Sequence, residues 1–466
     1  MERYRALNNA FKVGYASVNI NPPLGIGMCG YYVPRYAKGF LDDLTASALA
    51  LSKSGKTVVI ISIDNCTVAP ELLKKCKEKI AKTTTIGAES VFLTATHTHT
   101  APFTTYTTAF EVDEKQIDEY VDFLVQRITD LTSLAVSDMR VGKVGYATGY
   151  APDRISYIRR YKMKDGTTQT CPPIEDPNID YAIGELDRRV HVLRFDREAA
   201  PSVVILNYGI HTDTIGGEYL SADFCGWMKK TVKLALDGAE CMFIAGVQGD
   251  VGSTNVHPIP GDMNDTEISF DNEMKSPGMA RFIGRALAGT ILQVYDKVAY
   301  FDVDDVEIIS RDLAVPANRP TKDELVLAKK YTELHDAGKD EEIPYEAMEL
   351  TTVLAEAYRM CALENGPDEF HLEMLGLKLG PVALIGIPGQ PFTPVGVAIK
   401  DTPGWDMILP CTLANGNDGY FPMMQSYKEG GYEARTSKYK AGVSEAIIDC
   451  AKDILRDLSK KQRIKK

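Results

Sequence analysis

The sequence predicts an α/β protein whose core is a mixed β-sheet flanked by helices, and three observations predict it. The runs 57–64, 91–95, 202–210 and 242–247 are apolar almost without a break, as strands buried on both faces are. Helical stretches stand between such runs, which is the strand–helix–strand series of a sheet with helices packed on it. The run 373–387 reads as a hairpin turning at Leu379-Gly380-Pro381, so an antiparallel pair joins the others.

In order, 13–19 is the first strand, and Pro22-Pro23-Leu24-Gly25-Ile26-Gly27 after it is too dense in Pro and Gly for anything but a loop. Leu41-Asp42-Asp43-Leu44 leads into the apolar run 45–51, and 57–64 is a buried strand that ends in a carboxylate. A helix is expected over about 69–81, followed by the strand from Val91 that ends in Thr96-His97-Thr98-His99. An amphipathic helix covers about 115–137, and 151–182 reads as irregular. His191 falls in an alternating strand and is expected to be structural. Pro277 opens a helix running to about 298, and 322–366 is charged and helical, two helices expected on the outside with His335 on a solvated face. The hairpin delivers Pro388-Gly389-Gln390-Pro391-Phe392-Thr393, which opens a short helix. A loop rich in Gly and Tyr spans 415–432, and a last helix over 436–458 trails into a basic, solvated tail. No internal repeat, low-complexity linker or composition break divides the chain, so 1–466 is read as a single large domain with a helical elaboration at about 322–366.

The balance of 52 basic against 64 acidic residues, net −12, argues against a nucleic-acid partner and against attraction to an anionic membrane. The first twelve residues hold no signal-length apolar run, and no segment offers about 18 uninterrupted apolar residues, so no transmembrane segment is expected, and either a cytoplasmic address or a trimmed sequence. Nine cysteines with no CxxC pair suit reduced thiols.

Chemistry gathers at strand ends. Of seven histidines, two stand in His97-Thr98-His99. On a continuing strand they would share a face about 7 Å apart along the backbone. Two such imidazoles can hold a metal, or one can ligate while the other moves protons; the alternative for the pair alone is two hydrogen-bonded surface histidines among threonines. Asp64, His211 after 202–210, and Gln248-Gly249-Asp250 after 242–247 repeat the pattern, and in α/β sheets ligands gather beyond the carboxyl ends of strands. That repetition favours a metal site.

The string Thr94-Ala95-Thr96-His97-Thr98-His99-Thr100-Ala101-Pro102 resembles the ATHTHSGP-type motif of the neutral/alkaline (non-lysosomal) ceramidase family. Five further pieces resemble that family in the same order: Leu41-Asp42-Asp43-Leu44 its HDDL segment; Asn207 to His211 with Leu220-Ser221-Ala222-Asp223-Phe224-Cys225-Gly226 its second histidine strand and SADYPG turn; Gln248-Gly249-Asp250-Val251 its GDVSPN element; Pro388 to Thr393 its PGE(P)F; and Asn417-Asp418-Gly419-Tyr420 with Tyr432-Glu433 its GY…YEG loop. Together they span about 400 residues in register.

The resemblance implies a ceramidase-like catalytic domain and a zinc-dependent hydrolase that cleaves a linear amide with metal-activated water, with sphingolipid metabolism as the family's setting. Positions matching the family's zinc ligands are His97, His211, Gln390 and Tyr420. His99 would move protons between the water and the leaving amine, and Arg154 with Tyr432 or Tyr420 would hold the oxyanion. Asp42 and Asp223 would orient ligand imidazoles, and Asp250 would either shape its turn or touch the site. Gln390 departs from the family's glutamate, and a neutral amide is the weaker zinc ligand. Gly252-Ser253-Thr254-Asn255 departs from SPN, leaving Ser253 as loop chemistry. The family's secretion signal and C-terminal β-sandwich find no counterpart, so the expected partner is a small-molecule amide, ceramide or a smaller N-acyl compound. Two alternatives stand beside this expectation. One is a catalytically lapsed ceramidase-like binding protein in which Gln390 weakens or abolishes metal binding; the other, ranked last, is a barrel amidohydrolase, which needs eight βα units.

Overall fold

The computed structural model describes residues 10–106, 111–262 and 275–463. The first residues (1–9) and the end of the basic tail (464–466) lie outside the described residues. The larger sheet is built from β1 (Lys12–Asn19), β2 (Thr45–Lys53), β3 (Lys56–Ile63), β4 (Val91–Ala95), β5 (Arg140–Tyr150), β6 (Arg189–Arg197), β7 (Ala200–Tyr208) and β8 (Glu240–Ala245). Their spatial order is β8-β7-β6-β5-β1-β2-β3-β4, with Ala299–Phe301 added on β5. The end pairs β7/β8 and β3/β4 are parallel and the inner pairs antiparallel, so the mixed sheet is as expected. A second sheet orders β9 (Val306–Pro316), β10 (Glu369–Leu379), β11 (Val382–Gly386) and β13 (Met407–Cys411), while the two-residue β12 (Gln390–Pro391) pairs in parallel with β14 (Tyr420–Phe421). Neither sheet is an eightfold βα barrel, which removes that alternative.

The two sheets pack face to face through Leu49, Leu51, Phe92 and Ile244 of one and Leu375, Leu377, Leu384 and Leu409 of the other. Helices α1 (Pro70–Thr83) and α2 (Glu114–Ser137) cover the β1–β4 half of the larger sheet with Leu72, Ile80, Leu124 and Ile128. The other half is covered by α3 (Asp223–Ala235) and α4 (Pro277–Val294) through Phe224, Met228, Ile283 and Leu287. Helices α5 (Lys322–Asp336) and α6 (Ala347–Leu363) share a small core of their own, and α7 (Thr393–Lys400) and α10 (Val443–Arg463) back the second sheet. Between these last two come α8 (Met424–Glu429) and α9 (Tyr432–Thr436).

The larger sheet is joined at its middle by only two residue pairs, Lys12↔Val141 and Val13↔Arg140, and there it bends until its two ends meet. Ser62 Oγ on β3 donates to Phe243 O on β8 at 2.7 Å. Residues 412–415, just past β13, wedge into the junction: Thr412 N donates to Ala245 O at 2.9 Å and Asn415 N to Leu93 O at 2.8 Å. Carboxyl ends of β4, β7, β8 and β13 thus converge on one place.

Two stretches differ from expectation. Residues 151–182 are not irregular: they carry strands Tyr157–Ile158, Arg160–Met163, Thr168–Thr170 and Ile179–Ala182, each too short to show a period. The last helix begins at Val443, not near 436, because the preceding chain crosses to bridge Tyr439 to Ala317 and turns at Gly442, φ 106°. Among the described residues all nine cysteines are free, and no helix is long and apolar enough to cross a membrane.

Candidate active site

Strand β4 stops at Ala95, and His97 and His99 do not continue it. Thr96 N donates to Ile63 O and His97 N to Asn65 O, both at 2.9 Å, drawing the chain toward the end of β3. His97 then takes φ 71°, a left-handed conformation rare for a residue with a Cβ. Strand alternation is lost, and the rings converge with centroids 4.8 Å apart at a steep angle. The loop after β7 is tied to this turn by Thr212 Oγ1 donating to Thr96 O (2.7 Å) and His99 N donating to Thr212 O (3.1 Å), which brings His211 alongside.

His97 Nδ1 lies 2.7 Å from Cys66 O and His211 Nδ1 3.4 Å from Gln248 O. A carbonyl only accepts, so each Nδ1 carries the proton and each Nε2 presents a lone pair. Those Nε2 atoms are 3.0 Å apart, with His99 Nε2 3.3 Å from that of His97. Burial pushes His97 down to about 4, His99 down to about 3 and His211 well below the usual imidazole range, so protons do not bridge them at neutral pH. Converging bare imidazole nitrogens backed by carbonyls suit a divalent metal ion. Cys66, His97 and His99 also form a buried group, ligand atoms within 4.8 Å of one another, that can hold a metal ion. The Cys66 thiol stands 3.7 Å from Nδ1 of His97, the occupied nitrogen, and its bond with the Cys29 thiol together with burial keeps it protonated. His211 is therefore the better partner for His97.

Pairing of β12 with β14 sets Gln390 opposite Tyr420. The Gln390 side chain is buried, and its Oε1 has no hydrogen-bond partner, an orphaned acceptor close enough to influence His97. Burial raises the Tyr420 hydroxyl to about 12, with the Arg159 guanidinium, 5.3 Å from the ring centroid, opposing. His99, His211, Tyr420 and Tyr432 line one cleft of about 320 Å³. Its mouth is narrowed by a 3.0 Å bond between the hydroxyls of Tyr32 and Tyr432.

The structure adds residues the sequence did not mark. Asp213 has Oδ1 at 3.5 Å from His99 Nδ1 and accepts from Tyr31 Oη (2.6 Å) and Lys275 Nζ (3.0 Å). Against burial, His99 and Lys275 hold its carboxyl down at about 2. Arg159 reaches the cleft from the strand segment 157–158 onward, bonding Gly249 O (2.8 Å) and pairing with the fully buried Glu433 (2.7 Å). Asp213 is two residues past His211 in sequence, the one signal that could have found it; nothing pointed to Arg159.

Other expected residues stand elsewhere. Arg154 does not reach the histidines: it bonds Asp262 Oδ1 (2.8 Å) and lines a separate cavity with Arg281 and Arg285. The three acids orient no imidazole. Asp42 holds the Ser221–Ala222 turn (2.6 and 2.7 Å). Asp223 accepts from Thr214 N and Ile215 N, fixing the loop that carries His211 and Asp213. Asp250 accepts from Thr393 N and Oγ1, anchoring α7 directly behind Gln390. Asp64 is paired with Lys229 at 2.8 Å.

No protein-family model matches the chain, and no curated protein matches it. Solved structures do. A neutral ceramidase from Pseudomonas aeruginosa superposes with a TM-score of 0.69 at 18% identity, over 96% of this chain and 74% of that one. A ceramidase complexed with C2 gives a TM-score of 0.71 at 16% identity, over 97% and 76%. The chain therefore has a ceramidase-like fold.

Proposed function

We propose that this ceramidase-like chain is a zinc-dependent hydrolase of linear amides, with the ion held by His97 and His211 and completed by Gln390 and Tyr420. The observation that carries the proposal is the pair of Nε2 atoms 3.0 Å apart, each imidazole backed by a carbonyl on its other nitrogen. When bound, such an ion supplies a Lewis acid and lowers the pKa of water toward about 7. The chain's own residues supply the rest. His99, neutral because burial depresses its pKa, takes a proton from the attacking water at Nε2 while Asp213 steadies its Nδ1 edge. Water oxygen bonds to the amide carbon, and the oxyanion accepts from Arg159 and from the hydroxyl of Tyr432. Arg159 takes the role the sequence suggested for Arg154, which is engaged with Asp262. His99 then passes its proton to the departing nitrogen, the C–N bond breaks, and a carboxylate and an amine leave.

The test is elemental mass spectrometry of purified protein, wild type and Gln390→Glu, beside an amide-hydrolysis screen. About one zinc per chain in the wild type is expected, held more tightly by about tenfold in Gln390→Glu because a carboxylate is the better donor. Metal in neither protein overturns the proposal. Gln390 also favours a second function: if the wild type is empty and Gln390→Glu fills, the chain is a ligand-binding protein on a lapsed hydrolase scaffold.

A further inference from the structure

Arg154 stands on the wall of a cavity of about 610 Å³ that Arg281 and Arg285 also line. Its backbone takes φ 72°, a left-handed conformation that a residue with a Cβ keeps only when its surroundings impose it. Asp262 fixes the side chain. Its Oδ1 accepts from Arg154 Nε at 2.8 Å and from Nη2, while Oδ2 accepts from Asn255 Nδ2 at 3.2 Å and from Ile259 N at 3.0 Å. Both oxygens are engaged, so this carboxylate orients one guanidinium and serves neither of the others.

Arg281 and Arg285 lie one turn apart on α4, where like charges repel. The Trp227 ring of α3 attracts both, their guanidinium carbons standing 5.9 and 5.7 Å from its centroid. Among the described residues that line the cavity, three guanidiniums face one carboxylate, an excess of two positive charges in a chain of net −12. The positive end of α4, which begins at the same wall, adds to that field.

A dianion matches the excess. A phosphate monoester carries close to two negative charges at neutral pH and three acceptor oxygens, enough for guanidinium forks arriving from different walls, whereas a carboxylate brings one charge and two oxygens. The volume is within the about 300–1,000 Å³ of small-molecule clefts, more than a bare anion fills, and Met279 and Phe282 offer apolar surface beside the arginines. We infer that this cavity binds a phosphate monoester, its phosphate held by Arg154, Arg281 and Arg285 and its organic part lying against Met279 and Phe282. The site is independent of the hydrolase function proposed above.

The experiment is calorimetric titration of the full chain with inorganic phosphate and phenyl phosphate, beside co-sedimentation with phosphatidylcholine vesicles with and without phosphatidic acid. Phenyl phosphate is expected to bind about fivefold more tightly than inorganic phosphate, and Arg154→Gln and Arg285→Ala each to weaken it about tenfold. Co-sedimentation only with phosphatidic acid vesicles, lost in both variants and without binding of phenyl phosphate, supports the same chemistry with a lipid headgroup as its source. Phenyl phosphate binding that both variants retain belongs to another place, the histidine cleft included, and overturns the inference. A full chain that binds none of the probes, its own carboxylates serving the arginines, overturns it too. Arg285 is exposed on α4, so Arg285→Ala decides the matter should Arg154→Gln fail to fold.

Discussion

At the scale of single residues, the imidazole geometry separates proposed ligands from bystanders. Cys66 faces the nitrogen of His97 that a carbonyl occupies, whereas His211 faces the bare one. Cys66→Ser should therefore keep wild-type zinc while His211→Ala loses it, measured as zinc per chain after gel filtration. Asp213 acts through His99, so Asp213→Asn should lower kcat by about 10²-fold with KM little changed and zinc retained. Gly30 offers a check on the same ring: at φ 104°, a Cβ there would meet His99 Cγ at 2.7 Å. Gly30→Ala should then depress kcat without emptying the metal site, read by the same two assays. His97 and His211 were legible in the sequence because each ends an apolar run. Asp213 and Arg159 were not, since their meaning depends on which loops meet, and the left-handed turn at His97 reverses what strand alternation implies.

At the scale of elements, apolar runs of five or more residues announced themselves, and so did the hairpin and the helix pair at 322–366. What periodicity could not carry was segments of two to four residues, such as those in 151–182, and the destination of a helix's faces. The charged stretch 322–366 suggested two helices on the outside, yet Met348 and Thr351 at the start of α6 line the cleft, and Arg435 pairs with Glu349 and Glu356 of the same helix. The meeting of β7 with β8 is equally invisible in composition. It needs Gly209, where a Cβ would stand 1.9 Å from Val247 O. Gly209→Ala should destabilise the fold by about 3 kcal/mol or more, measured by urea unfolding, because backbone rather than a flexible side chain would have to move.

Across the whole molecule, four buried histidines share one electrostatic property. Burial holds His97 at about 4, His99 and His191 at about 3, and His211 well below its usual range. In the unfolded chain each titrates near about 6.5. The folded state thus refuses protons that the unfolded state accepts, so the metal-free protein keeps its full stability above that pH and loses it as pH falls toward 4. Each histidine contributes a slope of up to about 1.4 kcal/mol per pH unit in that window. Urea midpoints at pH 7.5 and pH 5 should differ steeply, and His191→Gln, outside the converging trio of His97, His99 and His211, should flatten the dependence.

The wedge at 412–415 has a bearing on how such a protein is made. It joins the ends of β4 and β8, and Gln390 and Tyr420 flank it in sequence. A chain emerging from the ribosome has already delivered His97 and His211 while the segment that locks their strands together is still unmade. Those two imidazoles are held at their final spacing only once synthesis has passed residue 415, more than 200 residues after His211. Capture of the proposed metal ion would then be a late event in biosynthesis, and translation products that stop short of the wedge would be left without it.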